Sequence, residues 1–216
     1  MTTNPLTQPI HETYLTEEII EIGYKICTGE AETFGNHYAD KLFFAYLNDV
    51  NSSTTREALT AYGCNYKWLN GKLGFDAIDE STGEEKEIKP KLYTKIKSSG
   101  SGNFSDLTPK RIEKFKNKDF GMINSFFVNN RLAYILEFKF SDILPTIENQ
   151  VNEKCIIGKN TYARSSQYNY VHYVNSPNLK FHKIDWDLIT STSCINKKFF
   201  NALQISYDKQ FPKQTL

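Results

Sequence analysis

The sequence predicts an α/β (α+β) chain, and three observations carry that expectation. Apolar side chains recur at helical spacing through residues 16–63, the period shortens to two from about residue 65, and a basic helix then separates further strand-like runs up to residue 140. A chain of 216 residues buries a core without disulfides, so one domain is expected, with a helical part at 1–63, a core at 64–140 and an elaboration at 141–216.

The elements follow in order. Thr16 caps a first helix with Glu17 and Glu18 in its positive first turn, Leu15, Ile19, Ile22 and Ile26 make its apolar stripe, and Gly29 ends it. A second helix over 31–47 carries Phe34, Tyr38, Leu42, Ala45 and Tyr46, and a third runs from the Ser52-Ser53-Thr54 cluster to Gly63. Strands at 65–69 and 72–79 are expected to join through a two-residue turn at Asn70-Gly71. A turn at Ser81-Thr82-Gly83 leads into a strand over 85–97, then a flexible Ser98–Asn103 stretch. Thr108 and Pro109 open a helix, and strands at 123–128 and 132–140 form a hairpin about Asn129-Asn130. A helix over 142–154 follows, with Pro145 expected in its first turn; beyond it only short aromatic strands and polar loops are legible.

Composition excludes several functions. Charged residues at 24% and a mean hydropathy of −0.51 are those of a soluble protein, and no apolar run reaches the roughly 20 residues that span a bilayer. No secretory signal opens the chain, so a cytoplasmic location and no membrane partner are expected. Cys27, Cys64, Cys155 and Cys194 are too scattered for a zinc site or a disulfide framework. His11, His37, His172 and His182 are equally scattered, and Gly158-Lys159-Asn160-Thr161 lacks the upstream glycine of a phosphate-binding loop, so no nucleotide cofactor is expected.

The net charge of +1 hides an asymmetry: residues 1–60 hold nine acids against three bases, and residues 86–118 hold ten bases against three acids. A block so basic attracts phosphates, although such runs also serve only as solvated faces.

The segment with chemistry is Gly74-Phe75-Asp76-Ala77-Ile78-Asp79, a turn, then Glu87-Ile88-Lys89-Pro90. Side chains alternate across a strand, so Glu87 and Lys89 share a face while Ile88 points the other way. Folding across the 81–83 turn brings Asp76 towards Glu87, and two acids at close quarters repel unless a cation lies between them. Magnesium suits such a pair, because one or two carboxylates, waters and a substrate phosphate complete its shell. Among the three E-x-K triplets, Glu84-Glu85-Lys86 sits in a turn, and Glu137-Phe138-Lys139 is expected to be an ordinary strand with a polar face.

This segment resembles the PD-(D/E)xK nuclease superfamily, which includes many type II restriction endonucleases, with Phe75 where the motif has proline. The resemblance covers about eighty residues and implies a central mixed β-sheet flanked by helices, built on a restriction-endonuclease-like αβββαβ core. It implies magnesium-dependent hydrolysis of double-stranded DNA at a short specific sequence, with manganese able to substitute and a homodimer supplying two active sites. Asp76, Glu87 and Lys89 would be catalytic; Asp76, Glu87, the Ile88 carbonyl and Glu57 would hold the metal, with Glu30 and Glu32 as more distant acids. Lys91, Lys95, Lys97, Lys110 and Arg111 would contact the DNA backbone, and the polar segment 159–178, with Arg164, Gln167 and Asn169, would read bases or form a strand pair. A structure-directed or nonspecific nuclease and a non-catalytic DNA-binding protein remain alternatives.

Overall fold

The computed structural model describes residues 15–70 and 74–212. Three helices come first: α1 (Glu17–Thr28), α2 (His37–Leu47) and α3 (Thr54–Gly63). Thr16 accepts a hydrogen bond from the Ile19 N–H as the cap of α1, and Gly29, at φ 82°, takes the left-handed conformation that ends it. The strands β1 (Lys67–Trp68), β2 (Ala77–Asp79) and β3 (Glu84–Leu92) follow, then β4 (Gly102–Leu107), α4 (Pro109–Lys116), β5 (Gly121–Val128) and β6 (Arg131–Lys139). The chain continues through α5 (Phe140–Asn152), β7 (Ala163–Tyr168), β8 (Lys180–Ile184), α6 (Trp186–Thr192) and α7 (Lys197–Gln210).

A mixed six-stranded sheet in the order β1-β2-β3-β5-β6-β8 forms the centre. Among the described strands of this sheet only β3 and β5 run parallel, with Glu87 beside Met122 and Lys89 beside Asn124, because β4 and α4 carry the chain back to the same end of the sheet. β5 is buried along its whole length, as an apolar strand covered on both faces must be. On one face α1, α2 and α3 pack Ile20, Leu47 and Leu59 against Ile88, Ile123, Phe127 and Ile135. On the other, α4, α5, α7 and a two-stranded ribbon of β4 and β7 enclose Phe115, Met122, Phe138, Ile147 and Phe199. No helix among the described residues is long and apolar enough to cross a membrane.

The hairpin at Asn129-Asn130 forms as expected, both residues lying at positive φ (48° and 64°) between the paired Val128 and Arg131. The expected turn at Asn70-Gly71 falls partly outside the described residues. Gly71, Lys72 and Leu73 are not among those described; on either side of them Trp68 pairs with Ala77 and the Leu69 N–H donates to the Asp76 carbonyl.

Other expectations are corrected. The stripe on α2 faces away from the core: Tyr38 is 82% and Leu42 56% exposed, while Phe43 and Leu47 are buried. Phase is set here by Gly23, whose missing side chain admits the Phe43 ring; a Cβ there would stand 2.6 Å from it. Pro145 is the sixth residue of α5, tolerated because the bond it forfeits belongs to the carbonyl of the exposed Ser141. The Ser98–Asn103 stretch is tied down: the Ser98 hydroxyl shares a hydrogen bond with Tyr134, the Gly100 carbonyl accepts from Tyr173 and Asn124, and Gly102 begins β4. Segment 159–178 contributes one strand, which pairs with β4 rather than with a neighbour, and the tail is largely helical.

Candidate active site

β2 and β3 pair through Ala77–Lys86, Ile78–Glu85 and Asp79–Glu84, and continuing that antiparallel register by one residue sets Asp76 opposite Glu87. β2 ends there, which leaves the edge of β3 open beyond Lys86. The Asp76 carboxylate fills the first gap by accepting the Ile88 N–H at 2.7 Å. In a strand the N–H and C=O of one residue point to the same edge, so the Ile88 carbonyl also faces this opening. Lys86 and Ile88, both 1% exposed, face the α1–α3 side, whereas Glu87 and Lys89 face the ribbon side as alternation requires.

Glu87 and Lys89 are partly buried, their side chains 13% and 24% exposed, and the Lys89 ammonium donates to the Glu87 carboxylate at 2.5 Å. Lys89 also sits 5.2 Å from the centre of the Phe104 ring. Burial, then the fields of Glu87 and Glu57, push the Asp76 carboxyl up to about 7, against the pull of the Ile88 N–H and Lys89. The charges of Glu87 and Glu57 thus bear on Asp76 more strongly than that of Lys89 does. That is the electrostatic condition a divalent ion relieves.

Glu57 reaches this place from the first turn of α3, where it accepts a hydrogen bond from the Ser53 hydroxyl at 2.5 Å. Its neighbour Arg56 does not pair with it: Arg56 is buried and donates to the carbonyls of Leu47, Asp49 and Ser52. Glu30 accepts from Thr28 instead of joining the group. Among the described residues no three His, Cys, Asp or Glu side chains stand close enough to form a ready-made metal cage. Asp76, Glu87, the Ile88 carbonyl and Glu57 are the oxygens that would hold an ion, a set suited to magnesium, which takes most of its remaining shell from water and substrate.

A cleft of about 370 Å³ opens over Glu87, Ile88, Lys89 and Lys91, walled by Ser53 and Glu57 on one side and by Asn103, Ser105 and Arg111 on the other. Lys91 donates to the Ser101 hydroxyl at 3.0 Å, and burial holds its ammonium below the ordinary lysine range. A second cleft, of about 900 Å³, shares Asn103 and Ser105 with the first and adds Lys154, Asn160, Tyr162 and Arg164.

The basic block divides by partner. Lys86 pairs with Glu84 and Glu137, Lys116 with Glu113 and Glu148, and Lys118 with Glu85. Lys91, Lys95, Lys97, Lys110, Arg111 and Lys114 make no ion pair among the described residues. Lys91 and Arg111 line the first cleft and Arg164 the second, whereas Lys95, Lys97 and Lys110 are exposed outside both. The Asn169 side-chain oxygen accepts the Val171 N–H as the cap of a 3₁₀ turn over Tyr170–His172. Gln167 lies exposed on β7 opposite Asn103.

Two features were not legible beforehand. Ser53, Asn103 and Ser105 join the cleft through tertiary contacts, and only the alternation of Phe104 with polar neighbours hinted that β4 was a strand. Glu137, expected on a polar face, is buried. It accepts hydrogen bonds from Tyr66 (2.7 Å) and Lys86 (2.8 Å), lies 2.6 Å from His182 Nε2, and is 3.4 Å from Lys180. In comparison with known proteins, the sequence matches no family model and no curated protein.

Proposed function

We propose that this protein is a metal-dependent endonuclease that hydrolyses phosphodiester bonds of double-stranded DNA at a short specific sequence, as type II restriction endonucleases do. The observation that carries this is the placement of Asp76 opposite Glu87, with Lys89 bonded to Glu87 at the open edge of β3. The order α3, β1, β2, β3, α4, β5, interrupted only by β4, which leaves the main sheet to pair with β7, and the parallel run of β3 and β5 support the resemblance to the PD-(D/E)xK core.

Magnesium, or manganese in its place, would polarise the scissile phosphate and acidify a water. Asp76 and Glu87 supply the anionic oxygens that hold such an ion, and Glu57 and the Ile88 carbonyl extend the set. Lys89 stands beside them to orient the attacking water and to offset negative charge building on the phosphate. Lys91 has no ion-pair partner among the described residues and has already given up much of its hydration, so a backbone phosphate would restore what burial removed. Arg111, at the start of α4, flanks the same path. A chain with one such centre would cut both strands of a palindromic site as a homodimer.

The test is digestion of long DNA with magnesium and with chelator, by the wild type, Asp76→Ala and Lys89→Ala. A metal-dependent ladder lost in both variants is expected. A smear would replace sequence-specific by nonspecific cutting, and binding without any cutting would make this a DNA-binding protein instead.

A further inference from the structure

The ribbon of β4 and β7 stands outside the main sheet. Its inner face, Phe104, Leu107, Ala163 and Tyr168, is buried in the core. Its outer face carries Asn103 opposite Gln167 and Ser105 opposite Ser165, two carboxamides side by side and then two hydroxyls. Asn103 and Ser105 border both clefts and Ser165 borders the larger one, so this side of the strip joins the two openings, with Gln167 exposed beside Asn103.

The strip is held rigidly. The Gln150 side chain, from α5, grips the Gln167 backbone both ways, donating to its carbonyl at 2.7 Å and accepting from its N–H at 2.8 Å. Lys154 donates to the Ser165 carbonyl. From below, the Tyr168 hydroxyl donates to Asn124 at 2.7 Å, and Asn124 is the β5 neighbour of Lys89. The ribbon is therefore fixed relative to the catalytic strand, as a recognition element must be.

Cations bracket the strip, Lys91 and Arg111 on the catalytic side and Arg164 in the second cleft. Such a layout suits a duplex: flanking cations meet phosphates and central amides meet base edges. The major groove admits a two-stranded ribbon, and a carboxamide matches the paired acceptor and donor of adenine.

Resting on the nuclease reading of the cleft, we propose that Asn103 and Gln167 are specificity-determining residues, whose carboxamide pair reads adenine-containing base pairs in the major groove beside the cleaved phosphate.

The experiment is cleavage of a randomised duplex library by the full chain with magnesium, sequencing the cut ends, for the wild type, Asn103→Ala, Gln167→Ala and Gln167→Glu. Both alanine variants are expected to lower the preference for adenine at one position of the site by roughly 10-fold. Gln167→Glu, which replaces the amide donor by an acceptor, is expected to move the preference towards cytosine. A wild type that cuts with a preference left unchanged by all three variants overturns this proposal and leaves the nuclease in place, as does a wild type that cuts every sequence equally. A wild type that cuts nothing removes the nuclease and this proposal together.

Discussion

The Asp76 carboxylate accepts the backbone N–H of Ile88 at 2.7 Å, standing in for the strand that β2 no longer supplies. One side chain thus closes the sheet edge and places an anion where Glu87 and Glu57 already raise the cost of negative charge.

The pH dependence of the metal-free protein follows from that cost. With its carboxyl raised from 3.8 to about 7, Asp76 keeps its proton in the fold at pH values where the unfolded chain has lost it. Its contribution to stability is therefore greatest in acid and declines as pH rises through about 7. Urea denaturation in chelator at pH 5 and pH 8 is expected to show a steeper loss for the wild type than for Asp76→Asn. Magnesium at pH 8 should stabilise the wild type more than the variant.

Glu137 behaves in the opposite sense. Burial works to raise its carboxyl, but hydrogen bonds from His182, Lys86 and Tyr66 outweigh it and hold the group well below the usual carboxylate range. Its stabilisation is present above the ordinary value of 4.5 and disappears as pH falls below it. Glu137→Gln leaves the buried Lys86 with Glu84 as its remaining carboxylate partner and should cost about 1–3 kcal/mol at pH 7, less in acid, by chemical denaturation.

Lys91 and Lys97 separate position from mere charge. Lys91→Ala should weaken DNA binding and reduce the slope of log K against log salt by about 1. Lys97→Ala, which removes an equal charge outside both clefts, should change that slope far less. Fluorescence anisotropy over a salt series in chelator measures both.

Gly102 marks a close approach. A Cβ there would stand 2.1 Å from the Tyr168 hydroxyl and 2.3 Å from its ring, and that ring is buried with its hydroxyl committed to Asn124. Gly102→Ala is expected to cost about 1–3 kcal/mol. The melting temperature should fall by roughly 2–4 °C per kcal/mol.

Several of these residues were legible in the sequence because the geometry that places them is local. Thr16 and the Thr108-Pro109 pair start helices through bonds to backbone groups within three residues, and Asn129-Asn130 turns a hairpin through its own dihedral angles. Strand alternation alone puts Glu87 and Lys89 on one face. The helix α7 was missed although Asn196 caps it, because its buried face includes Ser206 beside Phe199 and Leu203 and breaks the apolar pattern. The small residues of Ser98–Asn103 predict a flexible segment, yet partners from β5, β6 and β7 hold it in place.

By itself the sequence determined the mixture of helices and strands, most of the helix starts, and which side chains of β3 would face together. Only the tertiary structure decided that the Asp76 carboxylate would accept the Ile88 N–H, that Glu137 would be buried against Lys86 51 residues away, and that β4 would find β7. Caps, turns and alternation depend on neighbours along the chain, whereas these encounters depend on strand order and register, which the packing of the whole core selects.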